Sequence, residues 1–208
     1  MSIEAQVSEQ QSKKSDQLAH VLSERIVRGE FQPGEKLRQD SIAREFSVSQ
    51  VTVREAFTRL SSQGLVISLP RRGICIAPLD QSVVDELQVM RRALEPLALQ
   101  LSVPNLTPEQ IATIELIHLA CNASETATDW ERENRNFHIA IIEGCKMPRL
   151  IAEVSNLQLL YARHFFNHHA PRWKRRDDPD HAAILSAIKA RDAKRAHTVM
   201  QRHLARLG

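Results

Sequence analysis

The sequence predicts a mainly α-helical protein built of two parts, and three observations lead to this fold class. Apolar residues recur at the i, i+3, i+4 spacing of amphipathic helices over most of the chain. Short β-branched runs occur only between residues 65 and 78. Beyond residue 80 the strand signals vanish, and helical patterns follow one another on short connections. We therefore expect a small N-terminal domain with one hairpin and a C-terminal antiparallel bundle of about six helices.

The composition narrows the class of protein. The 208 residues suffice for the core of one large domain or two modest ones. The formal net charge of +3 permits an anionic partner such as nucleic acid but does not require one. The three cysteines (Cys75, Cys121 and Cys145) lack CxxC spacing, which favours a reducing compartment over disulfides or a zinc knuckle. No apolar run approaches membrane-spanning length, and the N-terminus has no hydrophobic signal core, so we expect a cytoplasmic protein without a membrane partner.

The N-terminal part begins with a polar stretch and continues as helices. Residues 1–15 are rich in Ser, Gln, Glu and Lys, and we expect them to form a flexible arm. Three helices are predicted next, over about residues 16–29, 39–46 and 50–63. The third helix carries an apolar stripe that is expected to face a core: Val53, Ala56, Phe57 and Leu60.

After Gly64, a natural helix C-cap, the periodicity changes from that of a helix to that of a strand. The runs LVISL and ICIAP are separated by PRRG, which predicts a hairpin with Arg71 and Arg72 at its tip. Pro78 ends this unit, so we predict an N-terminal domain over residues 16–78 and a helical domain over residues 79–208. The helices of the second domain are predicted over residues 80–101, 107–122, 129–144, 148–169, 178–190 and 192–206.

Three helices followed by a hairpin with a basic tip predict a winged helix-turn-helix. A helix fits the major groove when its N-terminal side chains face base edges and its opposite side packs on a small core. Gln50 and Thr52 are placed at the entering end of the third helix, where an amide suits adenine and a hydroxyl suits a base or a phosphate. Arg54, one turn on, suits a guanine edge or a phosphate oxygen.

Arg38 is placed to contact the DNA backbone, and Arg71 and Arg72 to reach phosphates or the minor groove. We therefore expect double-stranded DNA as the partner. The alternative is a small solvated helical unit with ordinary surface arginines. The hairpin, with arginines only at its tip, favours DNA over this alternative.

Of the nine histidines, all but His20 lie beyond residue 117, and some of them have a spacing that suits a metal site. Asn134 and His138 lie one helical turn apart. In an antiparallel bundle the start of one helix lies near the end of the next, so His181 and His203 can converge. Three imidazoles and one oxygen would suit Zn²⁺ or another borderline divalent ion. The alternative is that these are surface histidines or satisfied core histidines, because periodicity alone does not show convergence.

A second histidine group is predicted to form a solvated basic rim or loop; the alternatives are a second metal site and a surface that attracts an anionic effector. It contains His164, His168 and His169, and it lies close in sequence to several cationic residues: Arg163, Arg172, Lys174, Arg175 and Arg176.

The segment LRQDSIAREFSVSQVTVREAFTRLSSQGLV resembles the N-terminal winged helix of the GntR family of bacterial transcription regulators, and the likeness runs over residues 16–78. By that resemblance the DNA contacts are Arg38, Ser49, Thr52, Arg54 and the two arginines of the hairpin. Two positions depart from the family pattern. Ser47 stands where the family has Gly, so a non-glycine residue is expected to adopt a left-handed conformation there. Gln50 stands where the family has a DNA-contacting Arg. The resemblance therefore implies the position of a contact but not its chemistry.

The helical part resembles the FCD effector domain of the FadR-type branch of this family, and four segments carry the likeness: RRALE (91–95), NRNFH (134–138), DHAAILSAIKARD (180–192) and AHTVMQRHL (196–204). The resemblance implies that His138, His181 and His203 bind a divalent metal, with Zn²⁺ expected and Ni²⁺ or Mn²⁺ as alternatives. The metal would lie below a cavity that takes a small carboxylate effector. Asn134 stands where the family has Asp, and because an amide oxygen is a poorer donor than a carboxylate, metal binding is expected to be weakened or absent.

By the same resemblance, Arg92 pairs with the effector carboxylate; the alternative is a structural ion pair between Arg92 and Glu95. The six-helix count is similar to that of the VanR-like subgroup.

The resemblance implies a homodimeric, ligand-responsive repressor of a pseudo-palindromic operator, which is not an enzyme. One alternative is a metal-dependent hydrolase, disfavoured because no acidic residue stands in an HExxH-like relation to these histidines. A second is an architectural nucleic-acid binder without an effector.

Overall fold

The computed structural model describes residues 3–175 and 177–206, with side chains described from Lys13 onward. The chain divides into two compact units, Met1–Asp80 and Gln81–Gly208. The fold class is mainly α-helical, as predicted, with one small antiparallel sheet in the first unit. None of the helices in the described ranges is long and apolar enough to span a bilayer.

The N-terminal unit contains three helices and a hairpin: α1 (Ile3–Val27), α2 (Gln39–Glu45), α3 (Gln50–Ser62), β1 (Val66–Leu69) and β2 (Gly73–Ile76). The predicted second and third helices and the predicted hairpin are confirmed to within about two residues. The predicted stripe of α3 is confirmed as well, because its four residues are at most 4% exposed: Val53, Ala56, Phe57 and Leu60. This stripe packs on α1, where Leu22 and Ile26 are also buried.

The first helix differs from the prediction. It begins at Ile3 and not at Asp16, so most of the predicted arm over residues 1–15 belongs to α1, while residues 1 and 2 lie outside the described part of the chain. The physical reason is visible in the sequence. Residues 3–15 contain no Gly or Pro and are rich in Glu, Gln and Lys, which are good helix formers, so nothing stops the helix before Asp16.

Ser47 adopts the left-handed conformation that the sequence predicts, with φ of 52°. It follows the C-cap of α2 and closes a Schellman motif, in which Val48 N donates to Ala43 O at 3.0 Å and Ser47 N donates to Arg44 O at 3.3 Å. This motif ends α2 and sets the entry into α3. The left-handed conformation is normally reserved for Gly, because a Cβ makes it about 1–2 kcal/mol less favourable.

The hairpin pairs β1 with β2 in antiparallel register, with Val66 opposite Ile76 and Leu69 opposite Gly73. The connecting loop contains Arg71 with φ of 63°, and Arg72 N donates to Leu69 O at 3.1 Å. Pro at the second position and a positive φ at the third are the signature of a type II turn. The turn therefore places the side chains of two consecutive arginines at an exposed tip.

The helical unit contains the six predicted helices: α4 (Gln81–Ser102), α5 (Pro108–Ala123), α6 (Ala127–Ala140), α7 (Pro148–His164), α8 (Pro179–Lys189) and α9 (Ala193–Ala205). Helix α5 begins with a capping box, in which Gln110 N donates to Thr107 Oγ1 at 3.2 Å. Two ends differ from the prediction. Helix α6 stops at Ala140, ahead of a 3₁₀ turn, and α7 continues beyond His164 as a π-helical turn.

The core of the helical unit lies between packed helix pairs. Helix α4 contacts α7 and α9, α8 contacts α5 and α9, and α6 contacts α5 and α7. Large side chains at most 1% exposed fill the space between them: Leu99, Ile114, Phe137, Ile141, Ile142, Leu157 and Ile184. Because these helices come from the whole length of the unit, residues distant in sequence meet at its centre.

Replacing Ser47 with Gly should stabilise the N-terminal unit by about 0.5–1 kcal/mol, since the relief of the left-handed strain exceeds the entropy that Gly adds to the unfolded chain. Denaturant unfolding checks this. The control Ser61→Gly makes the same change at an exposed position inside α3, where it should destabilise by about 0.5 kcal/mol. Equal effects at the two positions would contradict the strain assigned to Ser47.

Candidate functional site

The N-terminal end of α3 presents a polar surface. Ser49 caps the helix, because its Oγ accepts a hydrogen bond from Thr52 N at 3.1 Å. Gln50 and Arg54 are exposed, as predicted. Gln39, at the start of α2, donates from Nε2 to the carbonyl oxygen of Gln50 at 2.7 Å and so joins the two helices of the motif. The side chains of residues 50 and 54 are therefore held at the surface by a rigid backbone.

The prediction for Thr52 was wrong, because its side chain does not lie on the outer face of α3. It is only 3% exposed, and its Oγ1 lies 2.8 Å from Ser49 Oγ. The reason is its place three residues after the N-cap, where the side chain turns back toward the cap. The described geometry makes Thr52 a support for Ser49.

Arginine pairing separates the predicted DNA contacts from the remaining arginines of the N-terminal unit. Four arginines are each paired with a carboxylate: Arg25, Arg28, Arg44 and Arg59. The other four are exposed and make no ion pair among the residues that the structure describes: Arg38, Arg54, Arg71 and Arg72. An unpaired guanidinium can bind a phosphate or a base edge without first breaking an internal contact.

In the helical unit, three histidines predicted as metal ligands come together. His138 lies near the end of α6, His181 in the first turn of α8 and His203 near the end of α9. Their ring centroids are 4.9 to 5.4 Å apart, and one nitrogen of each ring lies within 4.8 Å of one in each of the others. All three side chains are buried, and Phe137 stacks on His181 with ring centroids 4.4 Å apart.

A buried carboxylate fixes the orientation of His138. Glu95 on α4 is 1% exposed, and its Oε2 accepts from His138 Nδ1 at 2.8 Å and from Gln158 Nε2 at 2.6 Å. Arg91 pairs with Glu95 Oε1 at 2.5 Å. Although burial alone would raise the pKa of Glu95, the positive charge of Arg91 and the contact with His138 lower it to about 2. Because the ionised carboxylate can only accept, Nδ1 carries a proton, and Nε2 is the nitrogen of His138 that can bind a metal.

The cluster fits a divalent ion. Among the described residues, four of its buried nitrogens have no hydrogen-bond partner: His138 Nε2, His181 Nδ1, His181 Nε2 and His203 Nε2. A buried polar atom without a partner costs about 1–3 kcal/mol, so several at one point are unfavourable in the absence of a ligand. Burial and the neighbouring His138 lower the pKa of His181 well below its usual value and that of His203 to about 4. Both rings are therefore neutral at pH 7, which is the form that binds a metal.

Two aspartates beside the cluster were not predicted as site residues. Asp178 is the N-cap of α8, and its Oδ2 lies 3.8 Å from His181 Nε2 and 3.9 Å from His203 Nδ1. Asp180 Oδ2 lies 3.8 Å from His203 Nδ1. The sequence DDPDH contains the signal that could have found them, because an N-cap and a residue three positions on both lie in the first turn of the helix.

The second histidine group is only partly solvated. His168 and His169 are exposed, but Arg163 is 4% exposed, which contradicts its prediction as part of a solvated rim. Desolvation lowers the pKa of Arg163 to about 10, and burial together with the charges of His168 and His169 lowers the pKa of His164 to about 4. Arg163 belongs to the apolar side of α7, which periodicity alone did not reveal. Arg176 lies outside the described residues.

Comparison with known proteins identifies the two units. Residues 14–76 match the family "Bacterial regulatory proteins, gntR family", and residues 86–206 match the FCD domain. The chain belongs to the GntR family. It is a GntR-family transcriptional regulator with an FCD domain, in agreement with the FadR-type branch that the sequence resembles.

Relatives of this GntR-family chain are themselves transcription regulators. GlaR from Escherichia coli (strain K12), an HTH-type transcriptional repressor, is 30% identical over 196 residues, which cover 86% of this chain and 87% of that protein. McbR, an HTH-type transcriptional regulator from the same strain, is 26% identical over 182 residues, which cover 85% and 82%. Both names describe transcription regulators of the helix-turn-helix type.

Solved structures share the fold. The structure of E. coli McbR/YncC aligns with a TM-score of 0.79 at 24% identity and covers 93% of this chain and 96% of that chain. A GntR regulator from Rhodococcus sp. RHA1 aligns with a TM-score of 0.75 at 24% identity and covers 94% and 95%. The arrangement of helices described above is therefore that of GntR regulators.

Two further residues were assigned a role by the family resemblance, and for these the contacts in the structure do not test that role. Asn134 lies one turn before His138 on α6 and is half-buried, and its role as a metal ligand stays a prediction. Arg92 donates from Nε to Leu204 O at 3.4 Å and from Nη2 to Ala205 O at 3.5 Å, so it caps the end of α9. The ion pair with Glu95 suggested for Arg92 is made by Arg91, one position earlier, and an effector contact by Arg92 stays a prediction.

Replacing Glu95 with Gln should destabilise the helical unit by about 3–5 kcal/mol, because the change leaves the buried charge of Arg91 without its partner. Thermal or urea unfolding of the full chain measures the effect.

The control Glu115→Gln removes a carboxylate from the solvent-exposed pair with Lys189, and it should cost less than about 1 kcal/mol. Similar losses for the two variants would show that the buried pair does not have the role assigned to it.

Proposed function

We propose that this GntR-family regulator is a homodimeric repressor that binds a pseudo-palindromic DNA operator through α3 and the hairpin. The four unpaired arginines, Arg38, Arg54, Arg71 and Arg72, support this surface most strongly, because all other arginines of the unit are paired. Gln50 and Ser49 complete it at the N-terminal end of α3. Two copies related by a two-fold axis would read two half-sites. The name of the relative GlaR, a repressor, supports the sign of regulation.

The helical unit would act as the sensor. In the proposal, His138, His181 and His203 hold a divalent metal, which when bound supplies a positive centre for the carboxylate of a small effector. The convergence of the three rings and the lowered pKa values of His181 and His203 support this assignment, because these two rings need no deprotonation before an ion enters. Zn²⁺ suits three nitrogen ligands, and Ni²⁺ or Mn²⁺ are the alternatives.

The response would be a population shift. An effector that binds better to one arrangement of the dimer favours that arrangement, and only one spacing of the two winged helices matches the operator. A tenfold change in operator affinity requires a difference of about 1.4 kcal/mol in effector binding between the two arrangements. The proposal therefore needs only a modest coupling between the helical unit and DNA binding.

Arg54→Ala should weaken operator binding by about 1–3 kcal/mol, or roughly 5- to 150-fold, because it removes a side chain able to form two hydrogen bonds with guanine. The operator is first selected from a random duplex library with the unaltered protein, and fluorescence anisotropy then gives the affinity.

Arg28→Ala is the matched control, since Arg28 is an arginine of the same unit that already pairs with Glu24 on α1. It should change the affinity by less than about twofold. Unchanged binding by Arg54→Ala would refute α3 as the DNA-reading helix.

Zn²⁺, Ni²⁺ or Mn²⁺ should raise the melting temperature of the unaltered protein, and a small carboxylate should raise it further, because ligands that bind only the folded state stabilise it. His138→Ala should abolish the metal-dependent shift, and His168→Ala, which changes an exposed histidine, should preserve it.

Absence of any shift with metals or carboxylates would contradict the sensor proposal and favour an architectural DNA-binding protein. Turnover of a metabolite by the metal-loaded protein would instead favour the alternative of a metal-dependent hydrolase.

A further inference from the structure

The three-histidine cluster lacks a negatively charged ligand at the position where the sequence predicted its oxygen donor. Position 134 is Asn, whose amide carries no charge. An imidazole binds a metal in its neutral form, so the cluster with Asn134 would place a doubly charged ion among neutral donors. A divalent ion in a buried site is favoured when at least one ligand is anionic, because the charge of the ion is then partly compensated. The structure contains a second carboxylate that can fill this need.

Asp178 has one oxygen fixed by the backbone and the other directed to the histidines. Its Oδ1 accepts from Asp180 N at 2.9 Å and from His181 N at 3.3 Å, as the N-cap of α8. Its Oδ2 lies 3.8 Å from His181 Nε2 and 3.9 Å from His203 Nδ1. Two ligands of one tetrahedral zinc ion, each about 2.1 Å from the metal, lie about 3.4 Å apart. The observed separations from these two rings are therefore close to those around a shared ion. Asp178 Oδ2 faces Nδ1 of His203, however, whereas the unpartnered nitrogen of that ring is Nε2, and Asp178 clusters within 4.8 Å with Asp180 and His203, not with all three histidines. A single ion bound by Asp178 and the three histidines therefore requires a side-chain rearrangement.

Asp180, the other nearby carboxylate, is already neutralised. Its Oδ1 accepts from Arg202 Nη2 at 2.6 Å, and its Oδ2 accepts from Arg206 Nη1 at 2.8 Å. Moving this carboxylate onto a metal would leave two guanidinium groups without their partner. Asp178 has no comparable cost, because no arginine or lysine pairs with it among the described residues.

The cluster contains ring nitrogens that could still bind a metal. Both nitrogens of His181 are buried without a hydrogen-bond partner in the described structure, and the side chain is 0% exposed. Asp178 and His181 are three residues apart in the first turn of α8, so one short segment presents a carboxylate and an imidazole together. Pro179 at the first helical position restricts the backbone between them.

We propose that Asp178, and not Asn134, supplies the anionic ligand of the divalent ion, so that a site of three histidines and one aspartate takes its carboxylate from α8. This inference rests on the proposed metal-binding role of the helical unit. The ligand set would then include one negative charge, although Asn134 on α6 replaces the aspartate of the family. Asn134 would be free to contact the effector or solvent.

The test measures Zn²⁺ affinity by competition with a chelator, and the visible spectrum of the Co²⁺-loaded protein. Asp178→Asn should lower Zn²⁺ affinity by at least about tenfold, since losing a direct ligand should cost no less than losing an outer-shell partner. The Co²⁺ spectrum should change as well, because the set of coordinating atoms changes. Asn caps helices as well as Asp, so α8 should remain intact, which circular dichroism verifies.

Two further variants make the test specific. Asp192→Asn is the matched control, because Asp192 caps α9 in the same way, accepting from Arg195 N at 2.9 Å. Among the described residues Asp192 lies in neither cluster of possible metal ligands, whereas Asp178 clusters with Asp180 and His203. It should leave affinity and spectrum unchanged. Asp178→Asn combined with Asn134→Asp should restore most of the affinity, because a carboxylate returns to the site from α6.

Each result decides the assignment. Unchanged affinity in Asp178→Asn overturns it, as does lower affinity with an unchanged Co²⁺ spectrum, which would mean that Asp178 only orients a histidine from outside. If the unaltered protein binds no divalent ion, both this assignment and the metal part of the proposed function fail. If it binds an ion that His138→Ala abolishes and Asp178→Asn does not affect, the proposed function survives and only this assignment fails.

Discussion

The ionised carboxylate of Glu95 is the group around which the helical unit is arranged. It comes from α4, it pairs with Arg91 on the same helix, and it accepts hydrogen bonds from His138 on α6 and Gln158 on α7. A buried carboxylate without such partners would be protonated or would destabilise the fold by several kcal/mol. Three helices must therefore meet at this point in one geometry, and His138 is held there beside His181 and His203, with its Nε2 left without a hydrogen-bond partner in the described structure. The candidate metal site is thus a consequence of how one buried charge is satisfied.

Helix caps position the functional groups of both units. Ser49 caps α3 and fixes the end of the helix where Gln50 lies exposed. Asp178 caps α8 in the same way and brings its free oxygen to the histidines. A cap satisfies backbone N–H groups that no helical bond can reach, so it is required for stability whatever the function. A residue already held by this requirement has few conformations left to lose when it binds DNA or a metal.

Local patterns in the sequence predicted much of the fold, whereas they predicted only part of the candidate DNA-binding and metal sites. The stripe of Val53, Ala56, Phe57 and Leu60 predicted α3, and the change of period after Gly64 predicted the hairpin, because both signals act over a few neighbouring residues. The convergence of three histidines followed from helix order in an antiparallel bundle and from the family resemblance. Periodicity could not reveal Thr52 turned toward its cap, since that depends on a contact of the N-cap side chain. It also could not show that Arg91, and not Arg92, pairs with Glu95.

In both units, most charged groups near a candidate site are paired with an opposite charge, and the groups without such a partner are the candidate ligands. In the N-terminal unit these groups are cations, and in the helical unit the group is an anion. In the N-terminal unit, arginines with a structural role have a carboxylate partner, as Arg59 has in Asp16, while those predicted to meet phosphates have none within the described part of the chain. In the helical unit, Arg91 pairs with Glu95, and two arginines pair with Asp180, so both carboxylates already have cationic partners. The carboxylate of Asp178 is the one near the cluster without a cationic partner in the described structure. With Asp178 as ligand, a divalent ion retains one net positive charge, and a single carboxylate of an effector would compensate it. In the proposed sensor, the charge of the effector would therefore depend on the source of the anionic ligand, because an ion held only by neutral donors would favour a doubly charged acid.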